Sequence, residues 1–500
     1  MCRWILCLLF SFLTLTSIAN SQVNKPLKWG ECNPPSPYRN VQCAKHAVKF
    51  DWVSGLSQYT AMSAMRVKSR AEKPKGTMFL PSGPKRSGIR LLKQYLADNS
   101  SAAMQLLDDY HIMGMDVRGI SEHSPIKCNA TQWNRRVPSM VKTVKDFNRM
   151  WHHWRNISES CRQMTGELLF DNMDTFTIGQ DMENIRYNNW ELPPKKRKLH
   201  MIGLSWGAQI GLAYVEKISA YMGNVVLDGI TDHTQGPIST IVAESTAYET
   251  TLKRFFEWCK GESSCALHGQ LDLERFFMQL TAAAEVKPIR APRCRQDTGE
   301  SSCRSNVSLE ELMMSVQRYL APGPPGWPLL AESLLEASRG DASAFSAPWF
   351  TGETDPTATW ASLITGCQDW IPARDYLELL GTQRTMRILS PLTRGYTQSF
   401  LHYARCVSWP RKNKKVQNGQ RPLLQEGKSI KPLLLVSSAL DPITSAQGAL
   451  SLRAQIPEAV LVFTNKTGHG SYGAPGDLSY IVNSVLRTGL FPKDGSVYQT

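Results

Sequence analysis

The sequence lacks any uninterrupted apolar run approaching the roughly 20 residues a membrane-spanning helix needs, so an integral membrane protein is not expected and a retained signal anchor is the minority reading. It has no Walker loop and no dinucleotide fingerprint opening a βαβ unit, so no nucleotide cofactor is expected. Its cysteines show neither CxxC nor mixed Cys/His spacing, and no metal is expected either. Internal repeats and long low-complexity tracts are absent. Acid is in short supply: 57 Lys and Arg against 43 Asp and Glu leave a net charge of +14. The excess is scattered in short runs such as Lys195-Lys196-Arg197-Lys198 and Arg411 to Lys415, without a recognition motif, and reads as solvated loops, not as a nucleic-acid footprint. What is present, 42% hydrophobic and 20% charged residues over 500 positions, describes a folded globular chain with a large core.

The amino terminus reads Met1-Cys2-Arg3-Trp4, then an apolar run from Ile5 to Leu15, then Ala19 and Ser21 at small-x-small spacing. Residues 1–21 are therefore expected to be a secretory signal peptide. Removing Cys2 and Cys7 with it leaves ten of the twelve cysteines: Cys32, Cys43, Cys128, Cys161, Cys259, Cys265, Cys294, Cys303, Cys367 and Cys406. An even number in an exported chain points to disulfides; sequential pairing is the simplest arrangement, with connectivity formally open. Sequons at Asn99, Asn129, Asn156, Asn306 and Asn465 fit a glycosylating secretory route and a secreted, extracellular protein.

From 22 to 235 short apolar runs alternate with helical stretches, the pattern of a mostly parallel sheet with helices on both faces. Residues 236–425 show helical periodicity broken by Pro, Gly and Cys, which predicts an inserted helical cap. From 426 to 500 the α/β pattern resumes, with Pro432 to Val436 and Ala459 to Phe463 as buried strands.

The strongest motif is Gly203-Leu204-Ser205-Trp206-Gly207, an apolar strand ending in G-x-S-x-G and entering a small-residue helix. Glycines two before and two after permit the strained turn of a nucleophile elbow, so Ser205 is the candidate nucleophile. A hydroxyl nucleophile needs a base, and the base needs an acid to fix its tautomer. Asp441 and His469 each follow a buried strand, in the order Ser, Asp, His. The other histidines fit worse: His111 is placed ahead of its strand, His123 in an early loop, His152 and His153 in a Trp-rich polar stretch and His268 in the cap. Oxyanion donors are expected from the N–H of Trp206 and from Ser82 or Gly83 in the loop after an early strand, since Pro81 and Pro84 have no N–H.

These residues resemble the secreted tripeptidyl aminopeptidase-type α/β-hydrolases (with a TAP-like C-terminal region), relatives of the proline iminopeptidase serine peptidases. The resemblance covers nearly the whole mature chain. It rests on Ser82-Gly83-Pro84 with Ser87-Gly88, Asp116-Val-Arg118-Gly119, Ser124-Pro125 and Cys128, Asp181 and Arg186, the elbow, Leu227-Asp228-Gly229, Gly366-Cys367-Gln-Asp369, Cys406 with Trp409-Pro410, Asp441-Pro442 with Thr444, and Gly468-His469-Gly470. It implies the α/β-hydrolase fold, a cap that restricts access to chain ends, and release of residues or short peptides from substrate amino termini through an acyl-enzyme. Three features depart from the family pattern, one being the further cysteine pair the family usually carries at its carboxyl end, which nothing after Cys406 supplies. The loop reads Ser82-Gly83-Pro84-Lys85 where the family usually has Gly-Gly-Pro-Gly, and Trp206 is more like proline iminopeptidase than the tripeptidyl enzymes, which typically place Tyr there.

A serine exopeptidase is thus the leading expectation, with hydrolysis of an ester, lactone or amide in a small secreted metabolite as the alternative, and a non-catalytic secreted binding protein on the same fold as a third. The partner is a peptide or small-molecule acyl substrate; oligomeric state is not legible. An exopeptidase must bind a free ammonium, for which Glu244, Glu249, Glu310 and Glu311 are cap candidates; otherwise they are exposed helix charges.

Overall fold

The computed structural model describes residues 25–54, 57–98, 101–294, 303–346, 357–410, 430–473 and 476–499. The expected signal peptide, Asn99 and nearly all of the basic run from Arg411 to Lys431 lie outside them.

The centre is a nine-stranded sheet in the order β1-β2-β4-β3-β5-β6-β9-β10-β11. Its strands are β1 (Val41–Lys49), β2 (Tyr59–Val67), β3 (Gly76–Pro81), β4 (Tyr110–Asp116), β5 (Leu199–Leu204), β6 (Met222–Asp228), β9 (Leu433–Leu440), β10 (Ala459–Thr467) and β11 (Val497–Tyr498). A separate short ladder joins β7 (Ile289–Arg290) to β8 (Asn306–Val307) within the otherwise helical stretch. The pairs β1 with β2 and β2 with β4 are antiparallel, and every other pair of the large sheet is parallel. Parallel neighbours require crossovers, and crossovers put helices on the faces.

The helices of eight residues or more are α1 (Gly88–Ala97), α2 (Val144–Thr165), α3 (Thr175–Tyr187), α4 (Trp206–Ile218), α5 (Pro237–Gly261), α6 (Leu273–Val286), α7 (Leu309–Leu320), α8 (Trp327–Ser338), α9 (Thr357–Asp369), α10 (Tyr376–Leu389), α11 (Gln398–Arg405), α12 (Ala446–Gln455) and α13 (Asp477–Thr488). Side chains alternate across the central strands. Phe79, Met201, Leu227 and Leu435 pack with α3, α4 and α12 on one face, while Met78, Ile202, Val226 and Leu434 pack with α1 and α13 on the other. Burial on both faces explains why these strands are continuous apolar runs. His111 lies inside β4, not ahead of it, and its Nδ1 accepts the Ser69 N–H at 3.0 Å.

Between β6 and β9, helices α5 to α11 form two apolar clusters, one built on α5, α6, α7 and α8, the other joining α9, α10 and α11 to α2. Disulfides Cys128–Cys161 and Cys367–Cys406 lie in the second, Cys259–Cys265 and Cys294–Cys303 in the first, and Cys32–Cys43 ties the chain before β1 to that strand. Five such bonds belong to an oxidising compartment. Among the described residues no helix is long and apolar enough to cross a membrane.

Candidate active site

Strand β5 ends at Leu204, α4 begins at Trp206, and Ser205 makes the turn between them with φ 54° and ψ −119°. A positive φ on a non-glycine residue costs energy and persists only where packing enforces it. The packing here is backbone against backbone. A Cβ on Gly203 would stand 2.7 Å from the Gly207 carbonyl oxygen, and one on Gly207 would stand 1.9 Å from the Pro81 carbonyl oxygen. Only glycine at both places lets the end of β3 touch the elbow. The turn is fastened by the Ser205 N–H, which donates to the Asp228 carbonyl at 2.9 Å.

Asp441 directly follows β9 and is buried. Its Oδ1 accepts the N–H groups of Ile443 (2.8 Å) and Thr444 (2.9 Å), and its Oδ2 accepts the Thr444 hydroxyl at 2.7 Å. The same Oδ2 lies 2.8 Å from His469 Nδ1. This contact places the proton on Nδ1 and leaves Nε2 as an acceptor. Burial opposes charging of His469, but the Asp441 carboxylate and its hydrogen bond outweigh it, aided by Asp228, and hold the imidazole above its ordinary pKa. The ring lies over Gly229: a Cβ there would be 3.1 Å from His469 Cε1. Gly229 follows Asp228, whose carbonyl holds the Ser205 N–H, so the end of β6 borders both the elbow and the His469 ring at the strands' carboxyl ends.

Asp228 also positions the histidine loop, since its Oδ2 accepts the N–H groups of Ser471 (2.7 Å) and Tyr472 (2.6 Å). From the other side the His469 N–H donates to the Ala321 carbonyl just past α7, at 2.7 Å. The β3–α1 loop rests on the elbow: Gly83, at φ +77°, would clash with Trp206 Cβ at 2.5 Å if it carried a side chain. Trp206 opens α4, so its N–H has no intrahelical acceptor. The Ser82 hydroxyl turns away and donates to the Arg86 carbonyl.

Facing the elbow is a wall from α5, α7 and α11. Glu244 is buried; its Oε1 accepts the Gln317 amide (2.9 Å) and the Gln398 N–H (3.1 Å), and its Oε2 accepts the Ser399 N–H (2.9 Å). Gln317 also donates to the Pro442 carbonyl at 2.8 Å, coupling α7 to the Asp441 turn. Glu249 is buried too and accepts the N–H groups of Leu392 and Thr393. Glu310 binds Ser139 and Arg405, and Glu311 binds Arg136 and Arg304 while capping its own helix. The expectation of exposed helix charges or a free carboxylate cluster is corrected: Glu244 and Glu249 are buried and met by donors, as a buried carboxylate must be, and the partly buried Glu310 and Glu311 are held by arginines. Of the sequons, Asn156 and Asn465 are exposed, whereas Asn129 caps a short helix and Asn306 accepts from Arg136.

Sequence reasoning missed Thr444 as a partner of the acid, Asp228 as the strut of the histidine loop, and Gln317 as the link between wall and acid. Only the first carried a signal, since a hydroxyl three residues after a turn aspartate is placed to close it.

Residues 394–497 match the family model described as TAP-like protein. Over 495 residues the chain is 20% identical to serine protease Hip1 of Mycobacterium tuberculosis, covering 96% of this chain and 92% of that protein. It is 23% identical over 492 residues to the tripeptidyl aminopeptidase of Streptomyces lividans, covering 93% and 84%. Among solved structures, acetyl xylan esterase 1 from Thermoanaerobacterium aligns over 95% of this chain and 94% of its own at 10% identity and a TM-score of 0.34. The nine-stranded sheet and the elbow after β5 agree with the serine protease and tripeptidyl aminopeptidase relatives: the chain is a serine hydrolase of α/β-hydrolase fold whose carboxyl-terminal region is TAP-like.

Proposed function

We propose that the protein is a secreted serine exopeptidase in which Ser205 is the nucleophile, His469 the general base and Asp441 the acid that orients it. The observation that carries this reading is the Asp441–His469 contact of 2.8 Å, with its ring over Gly229 beside the strained Ser205 turn. The Ser205 hydroxyl loses its proton to Nε2 as its oxygen bonds to the substrate carbonyl carbon; the oxyanion is held by the N–H groups of Trp206 and of Gly83 or Ser82. His469 returns the proton to the leaving amine as the C–N bond breaks. Water, deprotonated by the same histidine, then releases the acyl group and restores Ser205. The helical segment between β6 and β9 acts as the cap, and the disulfides support export. The name of the Streptomyces relative supports action at peptide amino termini.

A second reading uses the same residues on an ester, lactone or amide of a small molecule. It is favoured by one observation: Glu244, Glu249, Glu310 and Glu311 are all taken by donors of the protein itself, leaving none open for an ammonium. Comparing the chain with Ser205→Ala on free-amine and amino-blocked peptide anilides and on an aryl ester separates the readings. Ser205-dependent cleavage of free-amine anilides is the expected result; ester cleavage alone moves the assignment to the second reading, and no Ser205-dependent turnover removes both.

A further inference from the structure

The motif Gly366-Cys367-Gln368-Asp369 forms the last turn of α9, outside the chemistry of Ser205, His469 and Asp441. Asp369 is buried and reaches the start of α3. Its Oδ1 accepts the Thr175 N–H at 3.0 Å and its Oδ2 accepts the Thr175 hydroxyl at 2.5 Å. A hydroxyl has one proton, and this one is committed to a carboxylate, so Thr175 Oγ1 meets its other neighbour as an acceptor. That neighbour is the Trp206 indole, whose Nε1 is a donor only and lies 3.3 Å away. The hydrogen bonds therefore run one way, from indole to hydroxyl to carboxylate, and the charged end strengthens them.

The same helical turn bounds the indole on a second side. A Cβ on Gly366 would stand 2.4 Å from His402 Cδ2 and 2.5 Å from its Nε2, so the α9 backbone fits this ring only because position 366 has no side chain. His402 Nδ1 lies 3.0 Å from the Gln398 carbonyl, and its ring meets the Trp206 ring edge-on with centroids 6.1 Å apart. Cys367, next to Gly366, is bonded to Cys406 directly after α11, which ties α9 to the helix that carries His402.

The indole in turn supports the loop that faces the oxyanion. A Cβ on Gly83 would lie 2.5 Å from Trp206 Cβ, 2.8 Å from Cγ and 3.1 Å from Cδ1, the ring atom bonded to Nε1. The Gly83 backbone thus rests on the edge of the ring that carries the hydrogen bond to Thr175. Resting on the serine-hydrolase reading, we propose that Thr175 and Asp369 are positioning residues for acyl transfer: they fix the Trp206 indole, and the indole fixes the Gly83 loop against the oxyanion. Both are buried and act through Trp206.

The test is a double-mutant cycle on kcat and KM for p-nitrophenyl butyrate, with the melting temperature measured alongside. Thr175→Val keeps the shape and removes the acceptor; it should lower kcat about tenfold and leave KM within about twofold, because a misplaced donor matters only as the negative charge develops. Thr175→Ser restores the hydroxyl and should recover most of that loss. Asp369→Asn presents a donor to Thr175 Oγ1 where the carboxylate accepted, and should lower kcat by a similar factor. Trp206→Phe has no Nε1, so adding Thr175→Val or Asp369→Asn to it should cost less than about twofold more. Inhibition by phenylboronic acid, whose tetrahedral adduct with Ser205 places an oxygen at the oxyanion site, should weaken in step with kcat. An unchanged kcat in Thr175→Val and Asp369→Asn, a loss confined to KM, a Thr175→Ser as impaired as Thr175→Val, or losses that multiply in the Trp206→Phe background overturns the positioning role and leaves the serine-hydrolase reading intact. If Thr175→Val does not fold, Asp369→Asn with and without Trp206→Phe decides. Turnover unaffected by Ser205→Ala, or none on the ester or on a free-amine peptide anilide, overturns the reading beneath it and the positioning role together.

Discussion

The two sides of the site are built by different physics. The elbow side is backbone geometry: Gly203, Gly207 and Gly83 are held by contacts that a single methyl would block, and Ser205 is strained because those contacts leave it no alternative. The facing wall is charge and hydrogen bonding among groups of α5, α7 and α11, with Glu244 receiving three donors from α7 and α11 and Gln398 accepting from Lys85 across the gap. A packed backbone turn has one shape and suits a fixed chemistry. A side-chain wall changes with each substitution and suits specificity, which is why the same elbow serves many substrates across the superfamily.

The largest expected effect breaks the first side. Ser205→Ala should lower kcat by about a millionfold, and Asp441→Asn by about ten-thousandfold, with an unchanged circular dichroism melt; a loss of less than tenfold in either removes that residue from the proposed triad. Gly207→Ala comes next. Its methyl would enter the Pro81 carbonyl, so the elbow must shift, and both activity and about 1–3 kcal/mol of stability should be lost by denaturant titration.

The wall is sharpened by its disulfides. Cys367–Cys406 closes a separation of 39 residues between α9 and α11, whereas Cys259–Cys265 closes one of 6. Chain-entropy estimates give about 4 kcal/mol for the first and about 2 for the second, so the double serine variant of the long loop should melt lower. The reverse order would mean that native packing, not chain entropy, dominates there.

The smallest effect joins the two sides. His469 must be neutral to accept the proton, and its pKa is held above the ordinary 6.5, so kcat/KM should rise with pH through an apparent pKa above that value and be lost as the pH falls below it. Lys85 pushes that pKa down, so Lys85→Gln should move the acidic limb further toward alkaline pH. A profile that stays in place in Lys85→Gln would separate the wall from the base.

The sequence already carried the elbow, the alternation of strand and helix, and the two strand-end residues Asp441 and His469, because each is a short-range pattern: a glycine spacing, a buried run, a turn. Sequential pairing of Cys32–Cys43, Cys128–Cys161, Cys259–Cys265, Cys294–Cys303 and Cys367–Cys406 was legible in the same way, since short separations close most easily. His111 went astray because an apolar run does not mark its own first residue. What tertiary structure alone decided was which charges face one another. Nothing in the spacing of Lys85, Glu244 and Gln398 links them, and the four glutamates of the helical segment look alike as a string. Their fates diverged only when α5, α7 and α11 packed together and the elbow loop closed beneath them, because the environment of a charge is set by the neighbours that folding brings from far along the chain.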